Sequence, residues 1–295
     1  MESMLMRSLM FVPGHNEKLL EKASKLEVDV LVLDLEDSVQ PVVNKQSARD
    51  LSIKYIGEHK FTNKRVFLRT NDRESGQLLK DVSQLSISGV DGFMYPKAKT
   101  GMDIYFFDKL LETIEYEKGL PIGNFQIIPL IETASAVMNV QDICSASSRV
   151  IAVAYGAEDF ITDLEGLHDE DDLSLFTPRA MIAMGARAQN VIPIDTVHIR
   201  VKDLVDLEKN LKLSVKLGFE GMLVLNPKEL ELVHKYFSPS TAQVKRAQDI
   251  ISFDEEARNE NKGIAIVNGE FIGPPFLERA KKVLNRHQKI KNKNN

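Results

Sequence analysis

Glu132 in PLIETAS, Asp159 in VAYGAEDF and Arg69 in FLRTN each close an apolar run of the sequence. A charge at the mouth of a buried strand is costly unless a partner offsets it. Two carboxylates on neighbouring strand ends raise one another's pKa unless a cation intervenes. Mg²⁺ suits such a pair, because it takes one or two carboxylates, keeps waters and leaves positions for substrate oxygens. No Cys or His pair accompanies them, so a soft-metal site is not indicated. The structural alternative is that one acid caps the following helix and the other pairs with a lysine. Arg69 suits bidentate capture of a carboxylate or stabilisation of a developing oxyanion. Its structural alternative is an ion pair with Glu36 or Asp37.

Other polar groups fall at comparable places: Pro13-Gly14, Glu36-Asp37, Lys97, His198 and Asn226. Together they predict one polar rim dominated by carboxylates. Lys97 offers a Schiff-base lysine, but crowding by acids favours its charged, unreactive ammonium. The loop FVPGHNEKLLEKA runs from a glycine turn into a helix carrying Lys18 and Lys22. Free amides of a helix start plus two lysines suit phosphates, and an ordinary solvated helix face fits equally well.

These side chains need a scaffold that brings strand ends together. Apolar runs start at Ser8, Val30, Lys64, Asp91, Phe125, Val150, Pro193 and Gly221. Most are near-continuous rather than alternating, as in parallel strands covered on both faces. Amphipathic segments such as EKLLEKASKLEV separate them, and LVDLEKNLKLSVKLGFEG places Gly218 where a helix C-cap belongs. Eight strand–helix units predict a closed (β/α)₈ TIM barrel, whose active site lies at the C-terminal strand ends. No glycine fingerprint of a dinucleotide fold follows any strand. The weakest unit is the seventh, preceded by the polar insertion EGLHDEDDLSLFTPR. The barrel is expected over 1–237. A C-terminal helix–hairpin–helix extension is expected over 238–295, with the turn at Val267-Asn268-Gly269-Glu270. Such an appendage should not bury a core alone, so it should pack across its own barrel or a neighbour's.

The 295 residues and 43% hydrophobic content suffice for a sizeable core. A net charge of -5 argues against nucleic acid as the main partner. A single cysteine, Cys144, excludes an intrachain disulfide and favours a reducing cytoplasm. The N-terminus does not read as a signal peptide, and no apolar run reaches membrane-spanning length. A cytoplasmic protein with no membrane partner is expected.

The segments RSLMFVPGHNEKLLEKA, LVLDLEDSV, VFLRTN, IPLIETASAV, YGAEDF and IDTV resemble the citrate lyase beta-subunit group of the HpcH/HpaI aldolase/citrate lyase family. GFEGMLVLNPKEL and IVNGEFIGPPFLERAKKVL extend the resemblance from Arg7 to about Leu284. It implies a barrel whose C-terminal extension packs on a neighbouring subunit, in homotrimers or hexamers. It also implies Mg²⁺ at Glu132 and Asp159, with Arg69 on the oxo-acid part of the substrate. Gly156, Ala157 and Glu158 match a loop whose backbone approaches the substrate carboxylate.

The implied reaction is reversible carbon–carbon cleavage of a 3-hydroxyacyl thioester through an enolate. A citryl thioester gives oxaloacetate and an acetyl thioester, whereas relatives act on malyl-, methylmalyl- or citramalyl-CoA. Asp37 or Glu36 would take the hydroxyl proton, and Lys18 and Lys22 would serve phosphates of CoA or of a carrier protein. Alpha and gamma partner subunits belong to the same expectation. One departure stands out: Gly273 occupies a position that is acidic in CoA-dependent relatives. Two alternatives stand beside a citryl-thioester lyase: a stand-alone citramalyl- or malyl-CoA type lyase, and, suggested by Gly273, a non-catalytic ligand-binding or assembly barrel.

Overall fold

A computed structural model describes residues 4–167, 173–259, 265–267 and 270–294. Eight strands form the frame: β1 (Ser8–Pro13), β2 (Val30–Asp34), β3 (Arg65–Arg69) and β4 (Gly92–Tyr95), then β5 (Gln126–Ile131), β6 (Ala152–Tyr155), β7 (Ile192–Asp195) and β8 (Gly221–Val224). All are parallel and pair in sequence order, and β1 closes on β8, so the sheet is the expected eight-stranded barrel. VLVLD of β2 and AVAY of β6 are buried along their whole length. Helices therefore cover one face of each strand and barrel side chains the other, which is why these runs are continuous rather than alternating.

The closing seam depends on a glycine. A Cβ on Gly221 would lie 1.8 Å from the Met6 carbonyl oxygen, so β8 approaches the chain entering β1 only without a side chain there. Gly218 ends the preceding helix, Leu204–Leu217, in the left-handed conformation at φ 96° that the C-cap reading requires.

The chain divides into two compact units, Met6–Val233 and Met1–Leu5 with His234–Asn295. In the second, helices Thr241–Asn259 and Pro274–Asn294 flank the antiparallel pair β9 (Ala265–Val267) and β10 (Glu270–Ile272). The predicted turn residues Asn268 and Gly269 lie outside the described residues, as does His168–Asp172 of the polar insertion. Ala247, Ile250, Ile272, Leu277 and Ala280 form a buried cluster here. The segment thus has a small core of its own, contrary to expectation, because the two helices are long enough to pair along their apolar faces. Among the described residues no helix is long and apolar enough to cross a membrane.

Candidate functional site

The register between β2 and β3 sets the first contact. Asp34 and Arg69 end their strands directly opposite one another, and in parallel strands opposed residues share a face. Arg69 Nε and Nη2 donate to the two Asp34 carboxylate oxygens, each at 2.7 Å. Its Nη1 lies 3.1 Å from both Glu36 and Asp37. Its planar head also sits 4.9 Å from the centre of the Phe11 ring. Burial alone would lower the Arg69 pKa, but Asp34 and the two further acids raise it, so the guanidinium is permanently charged. Burial would raise Asp34, yet Arg69 and the amides of Glu36 and Ser38 hold it below the usual carboxylate range. The loop carrying Glu36 is fixed from below, where the buried Lys45 ammonium donates to the Leu35 and Glu36 carbonyls at 2.7 and 2.6 Å.

Surplus negative charge gathers one strand further on. Lys97, two residues beyond β4, places Nζ 3.1 Å from Glu36 and 3.4 Å from Asp72. Its backbone amide donates to Glu132 Oε1 at 2.6 Å. Burial pushes Glu36 up to about 7 against the pull of Arg69 and Lys97. Glu132, only 1% exposed at the end of β5, is pushed up to about 8 by burial and by the charges of Glu36 and Asp159. The Lys97 ammonium would be lowered by its partial burial, but the surrounding carboxylates raise it well above the ordinary lysine value. It is held as an unreactive cation, against the Schiff-base reading.

Glu132 and Asp159 line two cavities that meet at them. One, about 590 Å³, runs past Arg69 and Asp37 to an apolar wall of Leu19, Ala23, Leu26, Leu225 and Pro227. The other, about 650 Å³, is lined by charged groups including Asp72, Arg73, Lys97, Lys99 and Asp163. Neither structural alternative for the pair is realised. Thr133, not Glu132, caps the next helix by accepting from the Ala136 amide at 3.1 Å, and Asp159 has no ion pair among the described residues. Asp159 and Glu158 stand in the first turn of helix Ala157–Asp163. Gly156 before them is crowded: a Cβ there would come within 2.9 Å of Glu132 Cβ and Oε2, so Glu132 would have to shift.

The structure sorts the remaining sequence candidates. Gly156, Ala157, Glu158 and Lys22 line the first cavity, whereas Lys18, exposed on the same helix, does not. Asn16 takes the Leu19 amide at 3.1 Å, so part of the helix start is already satisfied. The Ala157 amide donates to Thr196 Oγ1 at 3.2 Å. His198 is not on the polar rim. It is buried against Asp206, 3.1 Å from Nε2, beside Glu229, on a cavity of about 70 Å³ that shares Ala157, Glu158, Thr196 and Val197 with the first. Asn226 is a structural cap, accepting from Lys228 and donating to the Val201 carbonyl, each at 3.1 Å.

Asp34 and Thr196 escaped the sequence reading. Asp34 was visible in principle, because the alternation in LDLED puts it and Glu36 on one side of an extended chain. Thr196 depends on how the β7 loop meets the helix after β6, for which the sequence carries no local signal.

Glu132 and Asp159 fit a hard divalent cation. Both donors are carboxylates, one is buried beside like charges that raise its pKa, and the cavities leave room for water and ligand oxygens. The family model for HpcH/HpaI aldolase/citrate lyase matches residues 7–227, the greater part of the chain. The chain belongs to the HpcH/HpaI aldolase/citrate lyase family. It is an enzyme of the carbon–carbon lyase kind that its relatives' names give. It is 30% identical over 280 residues to citrate lyase subunit beta of Leuconostoc mesenteroides subsp. cremoris, covering 95% of this chain and 92% of that one. It is 29% identical over 298 residues to human mitochondrial citramalyl-CoA lyase, covering 97% of this chain and 87% of that one. The fold is similar to CitE from Mycobacterium tuberculosis, crystallised with magnesium, acetoacetate and coenzyme A. There the TM-score is 0.77 at 23% identity, over 96% of this chain and 98% of that one.

Proposed function

We propose that this HpcH/HpaI family lyase cleaves a citryl-like 3-hydroxyacyl thioester to oxaloacetate and an acetyl thioester, with Mg²⁺ held by Glu132 and Asp159. The observation that carries this reading is the meeting of two cavities at those carboxylates, with Arg69 on the wall. When bound, the cation supplies Lewis acidity and a template for the substrate's carboxylate and hydroxyl oxygens. Glu132 and Asp159 orient that template. Asp37, 58% exposed at the cavity wall, is the candidate base for the 3-hydroxyl proton. As the proton leaves, the hydroxyl carbon becomes a ketone, the carbon–carbon bond breaks, and its electrons pass to the thioester enolate. Protonation of that enolate at carbon completes the acetyl thioester. Arg69 offsets charge on the reacting oxygen.

The loop of Gly156, Ala157 and Glu158 is assigned to the wall the substrate carboxylate approaches, although the Gly156 and Ala157 amides already donate to Ile131 and Thr196, and the apolar wall is assigned to the thioester arm. Lys22 is assigned to the phosphates of CoA or of a carrier protein. Lys18, away from the cavity wall, is not. The names of the relatives support this substrate class, and the magnesium complex of a similar fold supports the cation. We further assign residues 238–295 to contact with a neighbouring subunit in a trimer or hexamer. Alpha and gamma subunits are the candidate partners, and sedimentation with and without them tests both statements.

The likeness to citramalyl-CoA lyase favours one second reading, a stand-alone lyase of smaller hydroxyacyl-CoA substrates. Assaying the purified protein with citryl-, citramalyl- and malyl-CoA separates the two. Turnover of citryl-CoA supports the first, and turnover of only the others supports the second. Binding of oxaloacetate without turnover of any thioester, free or carrier-bound, would contradict both and favour a non-catalytic barrel.

A further inference from the structure

Lys97 follows β4, the strand between β3, which ends at Arg69, and β5, which leads into Glu132, and so it joins two parts of the site. It has a non-glycine backbone at φ 54°, in the left-handed region that side-chain-bearing residues rarely adopt. Its neighbour Pro96 is buried, and the next residue, Ala98, is wholly so, so the turn is clamped on both sides. In this conformation the Lys97 amide points at Glu132 Oε1 at 2.6 Å. The side chain turns the other way, with Nζ 3.1 Å from Glu36 Oε1, while Glu36 Oε2 lies 3.1 Å from Arg69 Nη1. One residue therefore touches Glu132 through its backbone and reaches Arg69 through Glu36.

We infer that Lys97 is a positioning residue with two separable actions. Its strained amide fixes the Glu132 carboxylate by one oxygen and leaves the other to face the cation. Its ammonium holds Glu36 against Arg69 and so sets the guanidinium that receives the oxo-acid. The inference rests on the reading of Glu132 as a metal ligand. Strain of this kind persists where surrounding structure over-determines it, and it gathers at functional sites. A hydrogen bond to a ligating carboxylate orients the ligand and tunes its affinity for the metal.

Backbone and side chain can be tested apart in the full-length protein, by calorimetric titration first with Mg²⁺ and then with oxaloacetate at saturating Mg²⁺. Lys97→Gly accepts the positive φ and keeps the amide. It should bind Mg²⁺ within about threefold of wild type, whereas Lys97→Val, β-branched and disfavoured at that φ, should lose about tenfold or more. Lys97→Met keeps the amide but not the ammonium. Its Mg²⁺ affinity should stay within about threefold while oxaloacetate binding weakens about tenfold or more, with Lys97→Arg recovering part of the loss. Melting curves report whether each variant folds. Should Lys97→Val not fold, Lys97→Thr, also β-branched but smaller, replaces it against Lys97→Gly for the backbone action, while Lys97→Met decides the side-chain action.

Equal Mg²⁺ affinity in Lys97→Val and Lys97→Gly would overturn the backbone action. Wild-type oxaloacetate affinity in Lys97→Met would overturn the side-chain action. If wild type binds no Mg²⁺, or Glu132→Gln binds it unchanged, the metal-ligand reading itself fails and this inference falls with it.

Discussion

Two buried glutamates, one near each end of the barrel, have opposite fates. Glu115, 0% exposed, is gripped bidentately by Arg149 at 2.7 and 2.5 Å and also accepts the Gly123 and Phe125 amides. Burial would raise it, but Arg149 and the two amides hold it below the ordinary value. Glu132, 1% exposed, has one amide from Lys97 and two carboxylates for neighbours, and it rises to about 8. Neither side chain meets solvent, but Glu132 lies deeper and lacks a cationic partner, so depth and partners act together. The first glutamate is a finished structural contact. The second holds a proton in place of a cationic partner, as expected where a ligand completes the site.

The sharpest break of this comparison is removal of each charge. Glu132→Gln should abolish Mg²⁺ binding and thioester cleavage while leaving the metal-free protein at least as stable as wild type. Asp159→Asn should likewise abolish binding and cleavage. Glu115→Gln should instead cost about 1.5–3 kcal/mol in a denaturant titration, because it removes the charged bidentate partner of Arg149 and leaves Asp108 as its carboxylate. Its Mg²⁺ affinity per folded molecule should be unchanged. Equal destabilisation by the two Gln variants would erase the distinction.

Next in size is Arg69→Lys, which keeps a charge but not the fork that spans Asp34 and the acids beyond it. It should lower kcat by about 10²–10³-fold, as loss of an oxyanion partner does. Gly156→Ala is milder. Its Cβ would press on Glu132 at 2.9 Å, and Mg²⁺ affinity should fall about tenfold with little change in melting temperature.

The smallest effect is in the pH dependence of metal-free stability. Folded Glu132 keeps its proton to about pH 8, whereas its ordinary value is 4.5. Its contribution to stability is complete below about 4.5 and is lost as pH rises through about 8. Glu132→Gln should therefore gain on wild type from pH 5 to 8.5 in EDTA melts. Glu115, held low, contributes above its ordinary value and loses that contribution as pH falls, so Glu115→Gln should trail wild type most at neutral pH.

The barrel was legible because most of its buried strands are near-continuous apolar runs and the charges that end several of them mark the functional face. Arg69 and Glu132 could be placed by that reasoning alone, with Asp159 close behind in the first turn after β6. What escaped depends on non-local geometry. Asp34 becomes the partner of Arg69 only once the β2–β3 register is known, and His198 looked like a rim residue until helix Leu204–Leu217 supplied Asp206 to bury it. The left-handed backbone of Lys97 and the crowding at Gly156 are properties of packed chains, and residue type gives no sign of them.

The most direct test of a buried carboxyl awaiting a cation is Mg²⁺ titration of wild type at pH 7 in buffers of different ionisation enthalpy. Binding should release protons, up to about one per site, because the metal displaces the proton held by Glu132. The release should shrink by pH 9 and vanish, with the binding, in Glu132→Gln. Absence of binding, or binding with no proton released at pH 7, would contradict the account.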